Sequence, residues 1–161
     1  MISGALTVVI CAVMNCCLIP KIEASTQGIR CFDMNATGYT FEQAQRFLTL
    51  LSDEGRDVYL HSQLPLDFVY PAAYGVFFVL LIAALCGKFS VVCFFPILLA
   101  VCDYCENICT IQMLRAESLS QSLASFASFM TVCKSALMYV TFAVIVLLMI
   151  LKIRKKGKDR T

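Results

Sequence analysis

The sequence predicts an all-α fold: a four-helix transmembrane bundle with a short amphipathic helical region in its first extracytoplasmic loop. Composition is the first observation, since 60% of the 161 residues are hydrophobic and only 15% are charged. Soluble domains average about 45–50% apolar and about 25% charged residues. The second observation is four apolar runs, each close to or above the roughly 20 residues that cross a bilayer as a helix. We therefore expect one membrane domain spanning residues 1–161.

The first apolar run covers residues 2–20. No positive charge precedes it, and the segment Cys16–Pro20 lacks the small-residue cleavage site that ends a signal peptide. We therefore expect a span that is retained in the mature protein. Removal of residues 1–24 as a signal, by a cut near Ala24, is the alternative.

Residues 21–65 are predicted to form an exposed helical loop. Thr40 and Gln43 have the spacing of a capping box, and apolar residues then recur at helical intervals up to Leu51. Because Ser52–Gly55 interrupts that pattern, we expect a second short helix from Arg56 to Gln63. The apolar face of this region should pack on the mouth of the bundle or lie along the membrane surface.

The remaining spans are predicted at residues 66–86, 90–114 and 129–151, followed by a basic tail at residues 152–161. Since Lys and Arg flank the cytosolic ends of spans, this tail and the N-terminus should both be cytosolic. The loop then lies outside, where Asn35-Ala36-Thr37 is a glycosylation sequon. Use of Asn35 would favour an endomembrane or the plasma membrane.

Charged and amide side chains interrupt the third run. Asp103, Glu106, Asn107 and Thr110 are spaced to form one stripe on a helix. A carboxylate at the centre of a span costs about 3 kcal/mol on insertion scales, so such groups usually face a protein interior or a cavity. Lys134, in the fourth run, is a candidate counter-ion.

Further polar residues lie at the outer end of the second span. Asp67, Tyr70 and Tyr74 share one helical face, and Arg56 and His61 come just before that span. We expect a polar pocket that opens outward. Its candidate residues are Arg56, His61, Asp67, Tyr70, Tyr74, Asp103, Glu106, Asn107 and Lys134.

The same residues also fit a purely structural interpretation. Asp103, Glu106, Asn107 and Lys134 could form a polar lock between helices, which would mainly specify their register because such bonds average only about 0.6 kcal/mol. A lock needs one ion pair, whereas this set holds more carboxylates than cations. The surplus should be protonated or bound to something. The sequence leaves both interpretations open.

The ten cysteines are mostly inside the apolar runs. Cys102 and Cys105 have the spacing of a redox pair, but that chemistry needs a partner dithiol in an exposed loop, where only Cys31 lies. Metal binding by these thiols with Asp103 and Glu106 is also disfavoured because no His lies in any span. We expect the cysteines to pack as small apolar side chains and predict no metal and no cofactor.

The order of these residues resembles a known group of sequences. The pattern is Gly38-Tyr39-Thr40, Glu54-Gly55-Arg56, Tyr59, Gln63, Asp67, Pro71 and Tyr74, followed by Asp103-x-x-Glu106-Asn107 and Lys134. It is similar to small, mostly bacterial four-span integral membrane proteins whose function is uncharacterised, over residues from Gly38 to about Leu151. The resemblance implies that the charged residues act as one constellation, but it implies no reaction.

We expect a membrane protein whose polar intramembrane pocket binds a lipid or small amphiphile. One alternative is a lipid- or sterol-modifying enzyme, with Asp103 or Glu106 as general acid or base and Lys134 stabilising charge. Another is an accessory subunit of a larger membrane assembly or transporter, which would bring a membrane-protein partner. The net charge of +2 is concentrated in the tail, so nucleic acid is not expected as a partner.

Overall fold

The computed structural model describes residues 2–158, and every regular element in that range is helical. Four helices there are long and apolar enough to cross a membrane: Ser3–Ser25, Asp53–Cys86, Val91–Arg115 and Gln121–Lys155. The predicted set of four long apolar helices is confirmed. Within their most apolar windows only 11% to 39% of the residues are buried, so most of this apolar surface faces outward. Residues 159–161 of the predicted basic tail lie outside the described residues.

The four long helices are built from shorter elements. In chain order these are α1 (Ile2–Val13), a π turn (Met14–Leu18), α2 (Ile19–Ser25), a 3-10 turn (Phe32–Met34), α3 (Phe41–Leu50), α4 (Asp53–Val58), a second π turn (Tyr59–Gln63), α5 (Leu64–Cys86), a 3-10 turn (Val91–Cys93), α6 (Phe94–Arg115) and α7 (Gln121–Lys158). The first long helix joins α1 to α2, and the second joins α4 to α5, each through its π turn.

Both π turns come immediately before a proline. Pro20 and Pro65 each lie two residues after the last residue of a π turn, within the first turn of α2 and of α5 respectively. Proline has no N–H and its ring clashes with the carbonyl four residues earlier. A widened turn ahead of it moves the backbone out of that clash, so the helix continues where a regular α-helix would break.

The second long helix begins earlier than predicted. Ser52 caps its N-terminus by accepting a hydrogen bond from the Gly55 N–H at 3.1 Å, and the helix then runs without a break to Cys86. The expected separate helix from Arg56 to Gln63 is therefore wrong, because these residues form the first turns of the second long helix. Gly55 is required there: a Cβ would lie 2.0 Å from Oγ of Ser25.

The exposed loop is fixed by a glycine and a capping box. Gly38 has φ +81°, and a Cβ there would lie 2.7 Å from Oγ of Ser128 on α7. The same Oγ accepts the Tyr39 N–H at 2.8 Å. Thr40 Oγ1 accepts from the Gln43 N–H while Gln43 Oε1 accepts from the Thr40 N–H, which confirms the predicted capping box.

Two apolar cores are separated by a polar layer. Leu64 on α5, Met113 on α6 and Ala127 on α7 belong to the core beneath the loop. Further along the same three helices, other side chains form the second core: Tyr74, Phe78, Leu99 and Ile145. The side chains between the two cores are polar and buried: Asp67, Asp103, Glu106, Asn107, Thr110 and Thr131.

The helices do not close into a complete ring. The closest packing joins α6 to α7 and α5 to α6, while α1 packs chiefly on α5. No comparable interface joins α1 to α7 in the described part of the chain. We call the opening between the first long helix and α7 the lateral gap. It lies at the level of the polar layer, so polar side chains of that layer are accessible through the gap.

Candidate functional site

A cavity of about 240 Å³ lies behind the lateral gap. We call it the polar cavity. Its lining comes from the first π turn and α2, the 3-10 turn of the loop, and α5, α6 and α7: Met14, Asn15, Ile19, Asp33, Met34, Asp67, Tyr70, Asp103, Lys134, Ser135, Met138 and Tyr139. Asn15 on one side and Tyr139 on the other are exposed. The polar cavity is therefore open sideways, between apolar outer faces.

Lys134 is paired with two carboxylates. Its Nζ lies 3.1 Å from Oδ1 of Asp103 and also forms an ion pair with Oε2 of Glu106. Both carboxylates are almost fully buried, with side-chain exposures of 4% and 1%. We call these three residues the ion-pair triad. It joins α6 to α7, because the two acids are three residues apart on one helical face.

Two hydroxyl groups complete the surroundings of the triad. Tyr74 on α5 donates to Oδ2 of Asp103 at 2.8 Å, so both oxygens of that carboxylate have partners. Thr131 Oγ1 lies 2.6 Å from Oε1 of Glu106 and 3.1 Å from the Ala127 carbonyl oxygen. Buried polar groups are costly unless hydrogen-bonded, and these contacts reduce that cost.

Asn107 satisfies a carbonyl that a proline leaves free. Pro71 lies inside α5 and has no N–H to donate to the carbonyl of Asp67, four residues earlier. Asn107 Nδ2 donates to that carbonyl at 2.8 Å. Asn107 therefore supplies the hydrogen bond that the second long helix lacks at Pro71, as neighbouring helices do for prolines within membranes.

Two aspartates line the polar cavity without a cation of their own. Asp67 is only 5% exposed, yet among residues 3–155 no basic nitrogen lies within 4.0 Å of its carboxylate. Its carboxylate also accepts no side-chain hydrogen bond there, in contrast to Asp103. Asp33 accepts one, from the Tyr59 hydroxyl at 3.1 Å. These two carboxylates are the unpaired acids of the site.

The structure brings together most of the predicted site residues. Asp67, Tyr70, Asp103 and Lys134 line the polar cavity. Tyr74, Glu106 and Asn107 do not line the cavity, but each forms a hydrogen bond or an ion pair with a residue that does.

Arg56 and His61 lie elsewhere, so their predicted place at the pocket rim is wrong. Arg56 donates to the Leu114 carbonyl, at the end of α6. His61 is exposed and contacts Asp57 at 2.8 Å. Since each residue of a helix turns by about 100°, residues just before a span need not face its pocket.

Sequence reasoning missed Asp33 as a site residue. It lies in a three-residue 3-10 turn of the loop, where no helical or strand periodicity exists to indicate which way a side chain points. Asn15, in the π turn of the first long helix, also lines the polar cavity and was not among the predicted site residues.

The cysteines of the described range are all free thiols. Cys31 is fully buried, and burial, reinforced by the nearby charges of Asp33 and Glu23, raises the pKa of its thiol. A thiol that stays protonated is a poor nucleophile, so Cys31 does not supply the exposed reactive group that a redox role for Cys102 and Cys105 would require.

The sequon asparagine is half-buried in the loop. Its Nδ2 donates to the Cys31 carbonyl at 2.8 Å. A glycosylated asparagine keeps one N–H, so this hydrogen bond is compatible with a glycan on Asn35. Use of the sequon stays a prediction.

No protein-family model, curated protein or solved structure matches the chain. The function is therefore inferred from the geometry of the polar cavity.

Proposed function

We propose that the chain is a multi-pass integral membrane protein that binds a lipid or small amphiphile in the polar cavity. One observation carries this proposal: a cavity with charged residues at its floor opens sideways between helices whose outer faces are apolar. In a bilayer such a gap would face acyl chains. A molecule with a polar head and an apolar tail matches both environments at once.

The polar lock and the pocket share their residues. Asp103 and Lys134 join α6 to α7 and also line the polar cavity. A lock alone would need no cavity beside it and no further acids. The presence of Asp33 and Asp67 on the same lining favours a binding site that the ion-pair triad supports.

The alternative of a lipid- or sterol-modifying enzyme finds less support in the three catalytic candidates. Both oxygens of Asp103 already accept hydrogen bonds. Glu106 does not line the polar cavity, and Lys134 is held between two acids. A general acid or base must reach its substrate, so this arrangement favours binding over catalysis by these groups.

Native mass spectrometry of the full chain, released from mild detergent, tests the proposal. We expect a co-purifying amphiphile at about one molecule per chain. Lipid identification then gives its chemistry, and a larger complex would instead support the accessory-subunit alternative. Recovery of the folded chain with no bound amphiphile, from several membrane sources, would contradict the proposed function.

A matched pair of variants locates the site. Ser135→Trp places a large ring in the polar cavity and should abolish retention of the amphiphile. Val146→Trp adds the same ring to α7 at a position that is 54% exposed and roughly 16 Å along the helix from Ser135. It should retain the amphiphile, and equal loss in both variants would place the site elsewhere.

A further inference from the structure

The charges around the polar cavity do not balance. Four acids belong to the site, namely Asp33, Asp67, Asp103 and Glu106, whereas Lys134 is the one basic residue on the lining. Lys134 already forms ion pairs with Asp103 and Glu106. Among residues 3–155 no further basic side chain lies within 4.0 Å of the other two acids.

Asp67 identifies where such a cation would bind. Its side chain is held in the interior, with 5% of the residue exposed, and its carboxylate lines the polar cavity without a cationic or hydrogen-bonding side-chain partner. Its oxygens are not fully enclosed by protein, so a cation in the cavity would be attracted to them. Asp33 lies on the same lining and has a single hydroxyl partner, so one positively charged group in the cavity would be attracted by both acids.

An inorganic metal ion fits this site poorly. Among residues 3–155, no group of three His, Cys, Asp or Glu side chains could hold a metal ion. Hard cations such as calcium require six to eight oxygen ligands, which two aspartates cannot provide. An organic ammonium group needs fewer and less tightly arranged partners.

The rest of the lining suits an apolar chain and a cation. Tyr70 and Tyr139 provide aromatic rings, whose faces attract cations. The methionine side chains are flexible and adapt to irregular apolar shapes. They lie on both sides of the lateral gap, at Met14 on the first long helix and Met138 on α7.

We propose that the polar cavity binds a single-chain amphiphile with a cationic amine head, whose nitrogen lies between Asp33 and Asp67 and whose tail leaves through the lateral gap. This proposal rests on the proposed function and adds the charge of the ligand. An anionic head would meet three cavity-lining carboxylates and one lysine that is already paired. A neutral hydroxyl head could donate a hydrogen bond to Asp67 but would bring no positive charge to it.

Three probes with the same apolar chain test the charge. Hexadecylamine, hexadecanol and hexadecanoic acid would each be added to the full chain in nanodiscs of uncharged phosphatidylcholine, with empty nanodiscs subtracted. We expect the amine to bind about tenfold or more tightly than the alcohol, which is the effect of one charge-assisted contact. The acid should bind most weakly.

The outcomes separate the two proposals. Tight binding of the alcohol or the acid with no preference for the amine would overturn the cationic head and leave the proposed function standing. Failure of all three probes to bind would contradict both. Binding of the amine above the alcohol supports both.

Variants then test the placement of the nitrogen. Asp67→Asn should lower amine affinity to that of the alcohol without changing alcohol binding. The matched control is Asp57→Asn, which removes an exposed carboxylate on the same long helix that contacts only His61, and it should change neither. If Asp67→Asn does not fold, Asp33→Asn in the loop should give a partial loss of amine preference. An unchanged preference in the folded variant would overturn the placement.

Discussion

At the scale of single residues, the contacts of Thr131 bear on whether Glu106 is protonated or ionised. A threonine hydroxyl has one hydrogen, yet Thr131 Oγ1 lies within hydrogen-bond distance of two acceptors, Oε1 of Glu106 and the Ala127 carbonyl. If Glu106 carries a proton on Oε1, Glu106 donates to Thr131 and Thr131 donates to Ala127, whereas an ionised Glu106 must share the one hydroxyl hydrogen with that carbonyl. With Glu106 protonated, the ion-pair triad holds one positive and one negative charge.

This arrangement predicts different effects for two substitutions in the triad. Glu106→Gln is isosteric with the protonated acid and should lower the free energy of unfolding by about 1 kcal/mol or less, through loss of its contact with Lys134. Lys134→Met leaves Asp103 buried without its cation and should cost about 3–5 kcal/mol. Reversible unfolding of the purified chain in mixed micelles measures both.

The control for the lysine is Lys152→Met on the same helix. Lys152 is exposed, and its Nζ donates to the Ala84 carbonyl, so its loss should cost about 0.5 kcal/mol or less. Destabilisation by Glu106→Gln as large as that by Lys134→Met would show that Glu106 is ionised. In that event the proton inferred from Thr131 is wrong.

Helical spacing predicted which side chains of a span share one face. Asp103, Glu106, Asn107 and Thr110 were expected on one face, and all four are buried. Lys134 was expected as a counter-ion and pairs with both acids of that face. Hydroxyl partners such as Thr131 depend on how two helices rotate against each other, which spacing within one helix does not determine.

At the scale of elements, the loop is positioned by its attachment to α7. Gly38 lets the backbone approach Ser128, and Tyr39 donates to the hydroxyl of that residue. Thr40 then starts α3. This sequence of contacts places the 3-10 turn, and with it Asp33, over the polar cavity.

Removal of the cap should weaken this attachment by a predictable amount. Thr40→Ala removes the side-chain oxygen that accepts the Gln43 N–H and should lower the free energy of unfolding by about 1 kcal/mol. Thr49→Ala, in the exposed interior of α3, is the control. Its hydroxyl donates only to the Gln45 carbonyl, and alanine favours helix there, so stability should stay within about 0.5 kcal/mol.

Hydrogen exchange of the α3 amides, followed by mass spectrometry, reports where the loss occurs. Faster exchange confined to α3 in Thr40→Ala is expected. Equal effects of the two substitutions would mean that the capping box does not hold the loop.

Element boundaries were less predictable than element types. The capping box gave the start of α3 because it depends on local bonds alone. The second long helix was expected to begin near Leu66, since Pro65 normally marks a helix start. The π turn before Pro65 lets the helix continue, and no local pattern in the sequence indicates such a turn.

At the scale of the whole molecule, the four long helices present apolar outer faces, and the lateral gap is a polar opening between two of them. The predicted orientation places the loop outside the cytosol and the basic tail inside it. In that orientation the polar cavity lies in the outer half of the bundle, because its lining includes Asp33 and Met34 of the loop.

Glycosylation of Asn35 tests this orientation. We expect a glycosidase-sensitive increase in apparent mass when the chain is made in a host that glycosylates secreted proteins. Asn35→Gln should remove the increase without changing insertion. A correctly inserted chain that carries no glycan would contradict the outside placement of the loop, and the cytosolic placement of both ends would have to be reversed.

The π turn at Tyr59–Gln63 determines which residues of the second long helix face the interior. A π turn holds one residue more than an α turn, and each residue advances a helix by about 100°. Deleting one residue there would swing Asp67 and Tyr74 together away from the interior and aim a carboxylate at the acyl chains. Composition and hydropathy would hardly change. A single extra residue thus decides which side of that helix faces the polar interior.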